Sequence, residues 1–469
     1  MSDAKATFVG GSFRDRMGRV YVTRDRVVRG LRQSALENFL ALERTSFHAR
    51  HRDAGTLVGT RVLEPSEVPL DDAQRDAWDG FLEHDRVPVV TYPYEWTASM
   101  LRAAALLQLD LLEDALAEDF ILKDATPYNI QFVDGRPVFI DLGSFEPLTA
   151  GQPWAGYRQF CELFLFPLLL QCYRGLDFQP LLRARIDGVD LQQANRLLGF
   201  RDRFRKGVAS HVWLQSKLDQ RFSATERTVK SDLKAAGFNK ELILANVRKL
   251  KKLVGGLSWS HGRTEWGNYA ETHNYTEADH DQKAEFVDRS LAGRRRSLLW
   301  DMGSNQGQFS RIAARHCDQV LALDVDHPSL DRLFLETDRP TNVLPLLQNV
   351  LDPSPNWGWK QQERTDLVSR ARPDAVLALA VIHHVVITGH VPLDDFVAWL
   401  AELTPELIIE FVDRSDDKVQ TLLRNKDDDY LDYDLAPFEA ALERHFAVQD
   451  RLVLGSGKRT LYHALRHDH

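Results

Sequence analysis

Cysteine is scarce in this chain, and its few copies follow no recognisable spacing. Only three cysteines occur among 469 residues, at Cys161, Cys172 and Cys317. They form no C-x-x-C pair and show none of the spacings that are typical of zinc sites. The sequence therefore argues against a disulfide framework and against a cysteine-based metal site.

Long apolar runs and a positive net charge are missing as well. The most apolar stretch, residues 161–173, is too short to span a bilayer and contains Pro167. The first residues lack the apolar core of a signal peptide. The formal net charge is −9, whereas a surface that binds nucleic acid needs a positive field. We therefore expect a cytoplasmic protein with no membrane span and no nucleic-acid partner.

The length and the changing patterns along the chain predict more than one domain. A chain of 469 residues exceeds the usual size of a single domain, and its 43% of apolar residues can fill ordinary cores. A lysine-rich helical pattern that closes at Gly255 and Gly256 separates two differently patterned regions. The predicted division is a first domain at residues 1–225, a helical connector at 226–256 and a second domain at 257–469. The pattern does not predict the oligomeric state.

The second domain has the pattern of a doubly wound α/β fold. Apolar runs such as "DAVLALAVI" alternate with amphipathic stretches, which indicates βαβ units, and two final runs joined by "GSGK" predict an antiparallel hairpin. In "SLLWDMGSNQG" (residues 297–307) a predicted strand ends in Asp301 and is followed by Gly303 and Gly307. Ligands of such sheets lie beyond the carboxyl ends of the strands, where glycine lets backbone approach closely. An acid before the turn suits an amine-bearing or cationic ligand better than a phosphate.

Polar side chains also follow the next predicted strands. The second strand ends in Asp324, whose carboxylate suits a ribose diol, and the third is followed by Asn349, whose amide suits an adenine amino group. The fourth strand leads into His383 and His384, and histidine has a pKa suited to a base near neutral pH. These positions together predict a nucleoside site.

This order of residues resembles the class I S-adenosylmethionine-dependent methyltransferases over roughly residues 259–465, and the string is similar to rhizobial nodulation-type methyltransferases. The resemblance implies a Rossmann-like doubly wound sheet and S-adenosyl-L-methionine as cofactor. It assigns the cofactor contacts in chain order: Asp301, Gly303, Asn305 and Gly307 around the methionine end, Asp324 at the ribose and Asn349 at the adenine. Asn305 departs from the family, which usually has a second glycine there.

The candidates for methyl-transfer chemistry are His383, His384 and Glu410. Displacement at a sulfonium needs an aligned nucleophile and removal of a proton, and it needs no metal. Packing and capping roles for the two histidines remain the alternative. Tyr269 lies in an aromatic-rich stretch that can cover a sulfonium, or else pack in the core. The stretch 353–370, which includes Glu363 and Arg364, is an insertion into a minimal sheet and predicts a wall of the acceptor site.

The first domain carries a different motif, in "ILKDATPYNIQFVDGRPVFIDLGSFE" (residues 121–146). It contains D-x-x-x-x-N at Asp124 and Asn129, a hairpin turn, and D-L-G at Asp141. This resembles protein kinases and aminoglycoside-type phosphotransferases, which implies an α+β kinase-like domain with Asp124 as base, Asn129 and Asp141 as Mg²⁺ ligands, and ATP. The early "GGSFRDRMGRVYV" resembles a phosphate-covering hairpin. The third strand has no suitable lysine, and Arg29 is a poor substitute because a guanidinium is not a compact ammonium.

The combined prediction is a methyltransferase that acts on an oxygen or nitrogen of a small molecule or glycoconjugate, with the kinase-like domain serving docking or regulation. Two alternatives remain open. One is a bifunctional enzyme that also transfers phosphate from Mg²⁺-ATP, and the other is a non-catalytic scaffold with degenerate nucleotide sites. A fortuitous β-hairpin is the alternative to the kinase-like motif.

Overall fold

The computed structural model describes residues 6–217, 239–259, 277–424, 426, 430 and 432–467. The chain divides into two compact units. Unit 1 comprises Met1–Ser260 and Asn356–Arg364, and unit 2 comprises His261–Pro355 and Thr365–His469. The boundaries at residues 225 and 256 stay a prediction, whereas the return of Asn356–Arg364 to unit 1 has no counterpart in the sequence analysis.

Unit 1 begins with a five-stranded antiparallel sheet in the order β1-β2-β3-β5-β4. Its strands are β1 (Thr7–Phe8), β2 (Gly18–Val22), β3 (Val27–Leu31), β4 (Thr60–Val62) and β5 (Gly80–His84). Three helices lie between β3 and β5 in the sequence: α1 (Gln33–Glu43), α2 (Ser46–Asp53) and α3 (Asp72–Arg75). Alternate residues such as Val28 and Phe81 enter the core of this sheet, because successive side chains of a strand point to opposite faces.

The rest of unit 1 is built around the buried helix α4 (Ala98–Ala117), which begins where the Thr97 side chain accepts a hydrogen bond from the Met100 N–H. Two hairpin-like pairs follow: β6 (Phe120–Leu122) with β9 (Phe145–Pro147), and β7 (Ile130–Val133) with β8 (Arg136–Phe139). The further helices are α5 (Tyr157–Phe160), α6 (Phe166–Arg174), α7 (Gln179–Ala184), α8 (Leu191–Leu197), α9 (Gly199–Asp202) and α10 (Lys240–Gly255). A π-helical turn, Cys161–Leu165, joins α5 to α6.

Unit 2 contains a seven-stranded sheet in the order β12-β11-β10-β13-β14-β16-β15. The strands are β10 (Arg296–Met302), β11 (Cys317–Asp324), β12 (Val343–Leu347), β13 (Ala375–Ala378), β14 (Glu406–Val412), β15 (Phe446–Val453) and β16 (Arg459–Arg466). Strands β10 to β14 pair in parallel, and β16 runs antiparallel to both β14 and β15. The predicted Rossmann-like doubly wound sheet and its terminal antiparallel hairpin are thus confirmed.

The helices of unit 2 are α11 (Glu277–Leu291), α12 (Gln308–Ala313), α13 (His327–Leu335), α14 (Leu367–Arg370), α15 (Leu393–Leu403), α16 (Asp417–Leu423) and α17 (Leu435–His445). Every residue of β13 and β14 is buried, as expected for strands that are covered on both faces. Within the described part of the chain, every helix is too short or too polar to cross a membrane. The cytoplasmic location stays a prediction.

Candidate functional site

A cavity of about 470 Å³ lies at the carboxyl ends of the parallel strands of unit 2. Its wall brings together predicted cofactor residues from three strand ends and one predicted catalytic residue, namely Asp301, Gly303, Asn305, Asp324, Asn349 and His384. Gly307 follows in the same turn but is not part of the wall. Tyr269 lies outside the described residues. The structure therefore places most of the predicted nucleoside contacts around one space, and their roles stay predictions.

The turn after β10 depends on a left-handed backbone at three positions. The φ angles are 73° at Gly303, 48° at Asn305 and 76° at Gly307. A Cβ atom on Gly303 would lie 2.7 Å from the Cγ2 atom of Val381, and one on Gly307 would lie 2.7 Å from the Cδ2 atom of Leu333. Asparagine enters the left-handed region more readily than most other residues. Asn305 therefore supplies a left-handed backbone conformation of the kind that glycine readily adopts.

The carboxylate of Asp324 ties this turn to the end of β11. One oxygen accepts the Asn305 N–H at 2.7 Å, and the other accepts the Asp326 N–H at 2.8 Å. Burial raises the pKa of Asp324, and these backbone hydrogen bonds act in the opposite direction. Asp324 thus shapes the turn as well as lining the cavity.

Asp301 is almost completely buried at the end of β10. One of its carboxylate oxygens accepts a hydrogen bond from the Ser310 hydroxyl at 2.6 Å. Burial raises the pKa of Asp301 to about 7, although the Ser310 hydroxyl and the charge of Lys283 favour the ionised form. This carboxyl group consequently changes its charge near neutral pH.

A buried group of charged side chains adjoins Asp301. The Lys283 ammonium lies 2.5 Å from one oxygen of Glu410, and the Arg459 guanidinium lies 3.1 Å from the other. Arg459 also pairs with Asp416 at 3.0 Å. Lys283 lines the cavity, whereas Glu410 is fully buried behind the wall. Glu410 is in contact with Lys283 and Arg459, and its part in methyl-transfer chemistry stays a prediction.

The two histidines occupy different environments although their ring centroids are only 4.1 Å apart. His384 lines the cavity, and burial lowers its pKa to about 4. His383 is fully buried, neither of its ring nitrogens has a hydrogen-bond partner among the described residues, and burial lowers its pKa well below the ordinary value. Both rings are therefore neutral at pH 7. The position of His383 fits packing, and His384 is the histidine that a bound molecule can reach.

Two apolar residues of the wall were not anticipated. Val325 and Leu351 follow the ends of β11 and β12 and keep 55% and 44% of their surface exposed. Val325 directly follows Asp324, and Leu351 lies two positions after Asn349. For Val325, the sequence signal was an apolar residue directly after a strand-end acid. Lys283 gave no such signal, because one lysine in an amphipathic helix is ordinarily exposed.

Unit 1 contains a second cavity, of about 1120 Å³, whose wall includes Asp124, Asn129 and Asp141. The Asp141 oxygen Oδ2 accepts hydrogen bonds from the Ser144 hydroxyl at 2.7 Å and from the Asn129 amide at 3.3 Å. The three residues of the kinase-like motif thus lie together. Among the described residues, no group of three histidine, cysteine or acidic side chains is arranged to hold a metal ion.

Arginine rather than lysine faces the motif from β3. The Arg29 guanidinium lies 2.5 Å from the Asp141 oxygen Oδ1. Burial raises the pKa of Asp141, but the charge of Arg29 and the hydrogen bond from Ser144 outweigh burial and leave the pKa below its ordinary value. Burial and the nearby charge of Asp141 raise the pKa of Asp124. Arg29 therefore neutralises the carboxylate that the resemblance assigns to a metal.

The early glycine turn of unit 1 packs against the returning segment Asn356–Arg364. A Cβ atom on Gly10 would lie 2.8 Å from the Gln362 carbonyl oxygen, and one on Gly11 would lie 2.7 Å from the Glu363 carbonyl oxygen. Arg14 donates to both oxygens of Glu363, at 2.5 and 3.0 Å. Of the stretch 353–370 that was predicted as an acceptor wall, Asn356–Arg364 belongs to unit 1 and contacts the hairpin predicted to cover phosphate, and the role of the stretch as a wall stays a prediction.

Aromatic contacts hold the same segment at its two ends. Trp357 meets Tyr94 edge to face with ring centroids 6.0 Å apart. The Arg364 guanidinium lies 4.1 Å from the centroid of the Tyr128 ring. Glu363 and Arg364 both line the cavity of unit 1. The segment is therefore part of that cavity's wall.

Comparison with known proteins identifies one relative along nearly the whole chain. The nodulation protein NoeA of Rhizobium meliloti (strain 1021) is 35% identical over 459 residues, which cover 97% of this chain and 95% of NoeA. No family model matches the sequence.

Solved structures resemble part of the chain. The N-methyltransferase NodS of Bradyrhizobium japonicum WM9 in complex with S-adenosyl-L-homocysteine is 13% identical, with a TM-score of 0.30 over 41% of this chain and 88% of NodS. The magnesium protoporphyrin IX methyltransferase ChlM of Synechocystis PCC 6803 with bound S-adenosyl-L-homocysteine is 16% identical, with a TM-score of 0.29 over 42% of this chain and 89% of ChlM.

Proposed function

The chain belongs to the family of the nodulation protein NoeA, and we propose that its unit 2 is an S-adenosylmethionine-dependent methyltransferase. In this proposal the acceptor is an oxygen or nitrogen atom of a small molecule or glycoconjugate. Unit 1 is kinase-like and serves docking or regulation. The observation that carries the proposal is the meeting of Asp301, Asp324 and Asn349, from three strand ends, around one cavity.

The cavity has the size and the chemistry that this cofactor requires. Its volume of about 470 Å³ falls within the usual range of small-molecule sites. Asp301 offers a carboxyl group to the amine-bearing end of the cofactor, and Asp324 offers carboxylate oxygens to the ribose hydroxyls. The apolar surfaces of Val325 and Leu351 suit the faces of a purine, and the Asn349 amide suits its edge.

The chain's own residues align the reactants and accept a proton. When bound, the cofactor supplies a methyl group on an electrophilic sulfonium. The Asn305 N–H donates a hydrogen bond to the Asp324 carboxylate, which fixes the turn that forms this part of the wall. His384 is neutral and lines the cavity, and an imidazole nitrogen of His384 would accept a proton from the acceptor hydroxyl or ammonium.

The docking or regulatory role of unit 1 is supported by the state of its acidic motif. Arg29 already occupies one oxygen of Asp141, and Ser144 and Asn129 occupy the other. Phosphate transfer from Mg²⁺-ATP would need this carboxylate to exchange an arginine for a metal. We therefore favour ligand binding, for docking or regulation, over phosphate transfer as the role of the unit 1 cavity.

Isothermal titration calorimetry with S-adenosylmethionine and S-adenosylhomocysteine tests the proposal. We expect both to bind the wild-type chain, and Asp324→Ala to weaken binding at least about tenfold, which corresponds to the ~1.4 kcal/mol of one charged hydrogen bond. Asp318→Ala is the matched control, because Asp318 is the second residue of the same strand and its side chain is 60% exposed beside Arg295. If neither nucleoside binds the wild-type chain, the proposal is wrong.

A further inference from the structure

An exposed pair of aromatic rings stands on α9 of unit 1 and the turn that follows it. Phe200 and Phe204 keep 67% and 85% of their surface exposed, and their ring centroids lie 6.2 Å apart. Neither ring belongs to the wall of the unit 1 cavity. Because single exposed apolar residues are common but clustered ones are not, this pair indicates an interaction surface.

Positive charge surrounds the aromatic pair. Residues 199–217 include five lysines and arginines but one acid, Asp202. Asp202 is buried and pairs with Arg205 at 3.1 Å, whereas the side chains of Arg201 and Lys206 are exposed. The chain as a whole has a formal net charge of −9. The exposed charge of this stretch is therefore opposite in sign to that of the whole chain.

Contacts between cations and rings hold this surface in shape. The Arg203 guanidinium lies 4.8 Å from the centroid of Phe200 and 5.1 Å from the centroid of Trp213. The Lys217 ammonium lies 4.3 Å from the centroid of Trp213. Such contacts are attractive because the face of an aromatic ring is electron-rich. The rings and the cations thus form one connected surface.

The helix α10 extends the same surface. A Cβ atom on Gly207 would lie 2.5 Å from the Cδ2 atom of Leu253, so the turn packs directly against this helix. Lys249 is exposed and lies one helical turn before Leu253, on the same face of α10. The lysine-rich pattern of α10 therefore adds a further cation beside the aromatic pair.

We propose that unit 1 docks on the surface of an anionic lipid bilayer through an aromatic–basic patch, which consists of Phe200, Arg201, Arg203, Phe204, Lys206 and Lys249. A bilayer of this kind offers both chemistries that the patch requires, with anionic phosphate groups at its surface and acyl chains directly beneath. The phenyl rings would enter the boundary of the acyl chains, and the cations would stay at the level of the phosphates. The inference is independent of the methyl-transfer proposal for unit 2.

Co-sedimentation of the full chain with lipid vesicles tests the inference. We expect the wild-type chain to bind vesicles of equal parts phosphatidylglycerol and phosphatidylcholine at least about tenfold more tightly than vesicles of phosphatidylcholine alone. Phe204→Ser should weaken binding to the anionic vesicles about tenfold, because it removes the buried ring. Arg201→Gln with Lys206→Gln should also weaken it at least about tenfold, and added salt should weaken the binding of the wild-type chain.

Two variants in other parts of unit 1 serve as matched controls. Phe8→Ser removes a ring that is 42% exposed on β1. Arg52→Gln with Arg75→Gln removes the same amount of charge from side chains that are 47% and 39% exposed. Both controls should bind the anionic vesicles as the wild-type chain does. Urea denaturation verifies that each variant is folded, and the salt series on the wild-type chain needs no variant.

Several results would overturn the inference. A wild-type chain that leaves the anionic vesicles unbound, or binds both kinds of vesicle equally, would contradict it. Equal losses for the patch variants and their controls would show that the patch has no special part. Sedimentation that shows self-association dependent on Phe204 without vesicle binding would assign the patch to a second copy of the chain, and binding of a single-stranded oligonucleotide in place of vesicles would assign it to nucleic acid.

Discussion

Both cavities contain carboxylates, but the groups that contact these carboxylates differ between the two units. In unit 2, Asp301 and Asp324 receive hydrogen bonds from a hydroxyl group and from backbone N–H groups. In unit 1, Asp141 forms a direct ion pair with Arg29. Neutral donors leave the negative charge of a carboxylate available to a cationic ligand, whereas an arginine satisfies that charge within the protein. Acidic motifs of similar appearance therefore differ in what they can bind.

The glycine turns of the two units are alike, because in both a Cβ atom would meet another part of the chain. Gly303 lies on the wall of the unit 2 cavity, and a Cβ atom there would lie 2.7 Å from the Cγ2 atom of Val381. Gly10 and Gly11 of unit 1 lie against the backbone of the chain's own segment Asn356–Arg364. A glycine without a Cβ atom indicates that something approaches closely, but not whether the neighbour is a ligand or another part of the chain.

The largest expected effect comes from breaking the buried charge group behind the unit 2 wall. Arg459→Met removes the cation that pairs with Asp416 and one of the two cations that pair with Glu410, which keeps Lys283, and both acids are almost completely buried. Leaving a buried charge uncompensated costs about 3 kcal/mol or more. We expect a loss of that size in the free energy of unfolding, measured by urea denaturation at pH 7.

The control for this measurement is Arg451→Met on the neighbouring strand β15. Arg451 pairs with Glu439 at 2.9 Å, and 47% of its side chain is exposed. A surface pair of this kind contributes less than about 1 kcal/mol. Equal losses for the two variants would show that the buried group has no special part in the stability of unit 2.

A smaller effect is expected from the ion pair that distinguishes unit 1. Arg29→Met leaves Asp141 and Asp124 close together without the cation, and we expect the free energy of unfolding to fall by about 2 kcal/mol. Adding Asp141→Asn removes one of the two carboxylates and should restore most of the loss. The measurement is a double-mutant cycle by urea denaturation.

An additive result in this cycle would contradict direct coupling between Arg29 and Asp141. The exposed pair of Arg52 and Asp53 serves as the control cycle, since its members keep 47% and 69% of their side-chain surface exposed. The coupling energy there should be less than about 1 kcal/mol. A large coupling energy for both Arg29–Asp141 and Arg52–Asp53 would mean that burial does not determine the strength of these ion pairs.

Local patterns allowed much of unit 2 to be predicted. Alternation of apolar and amphipathic runs predicted the doubly wound sheet, because strands covered on both faces must be apolar throughout. The rule that ligands lie beyond strand ends directed attention to Asp301, Asp324 and Asn349. Asn305 stands where the resemblance led us to expect glycine, and its φ of 48° shows that it adopts the left-handed backbone conformation that glycine would provide.

Contacts between distant positions could not be predicted in this way. Lys283 and Glu410 are separated by 127 positions, and Arg29 and Asp141 by 112. Periodicity reports which face of an element is buried, but not which charged side chain faces it from another element. The return of Asn356–Arg364 to unit 1 is a contact of the same distant kind, and the predicted division had placed Glu363 in the second domain.

The smallest expected effect is a pH dependence that should occur only in the unit 2 cavity. Burial raises the pKa of Asp301 to about 7, and Ser310, Lys283 and Asp324 also act on this carboxyl group. Burial lowers the pKa of His384 to about 4, so that the charge of His384 does not change between pH 6 and 8. Asp301 is neutral below pH 7 and negative above it, and only the negative form attracts an ammonium group. The affinity for S-adenosylhomocysteine should therefore rise as the pH increases from 6 to 8, by at most about tenfold per pH unit for one proton released.

Calorimetry between pH 6 and 8 measures this change in affinity, and Asp301→Asn should abolish the slope of affinity against pH. A slope that persists in Asp301→Asn would assign the titration to another group, and a flat wild-type profile would mean that Asp301 does not meet the ammonium group.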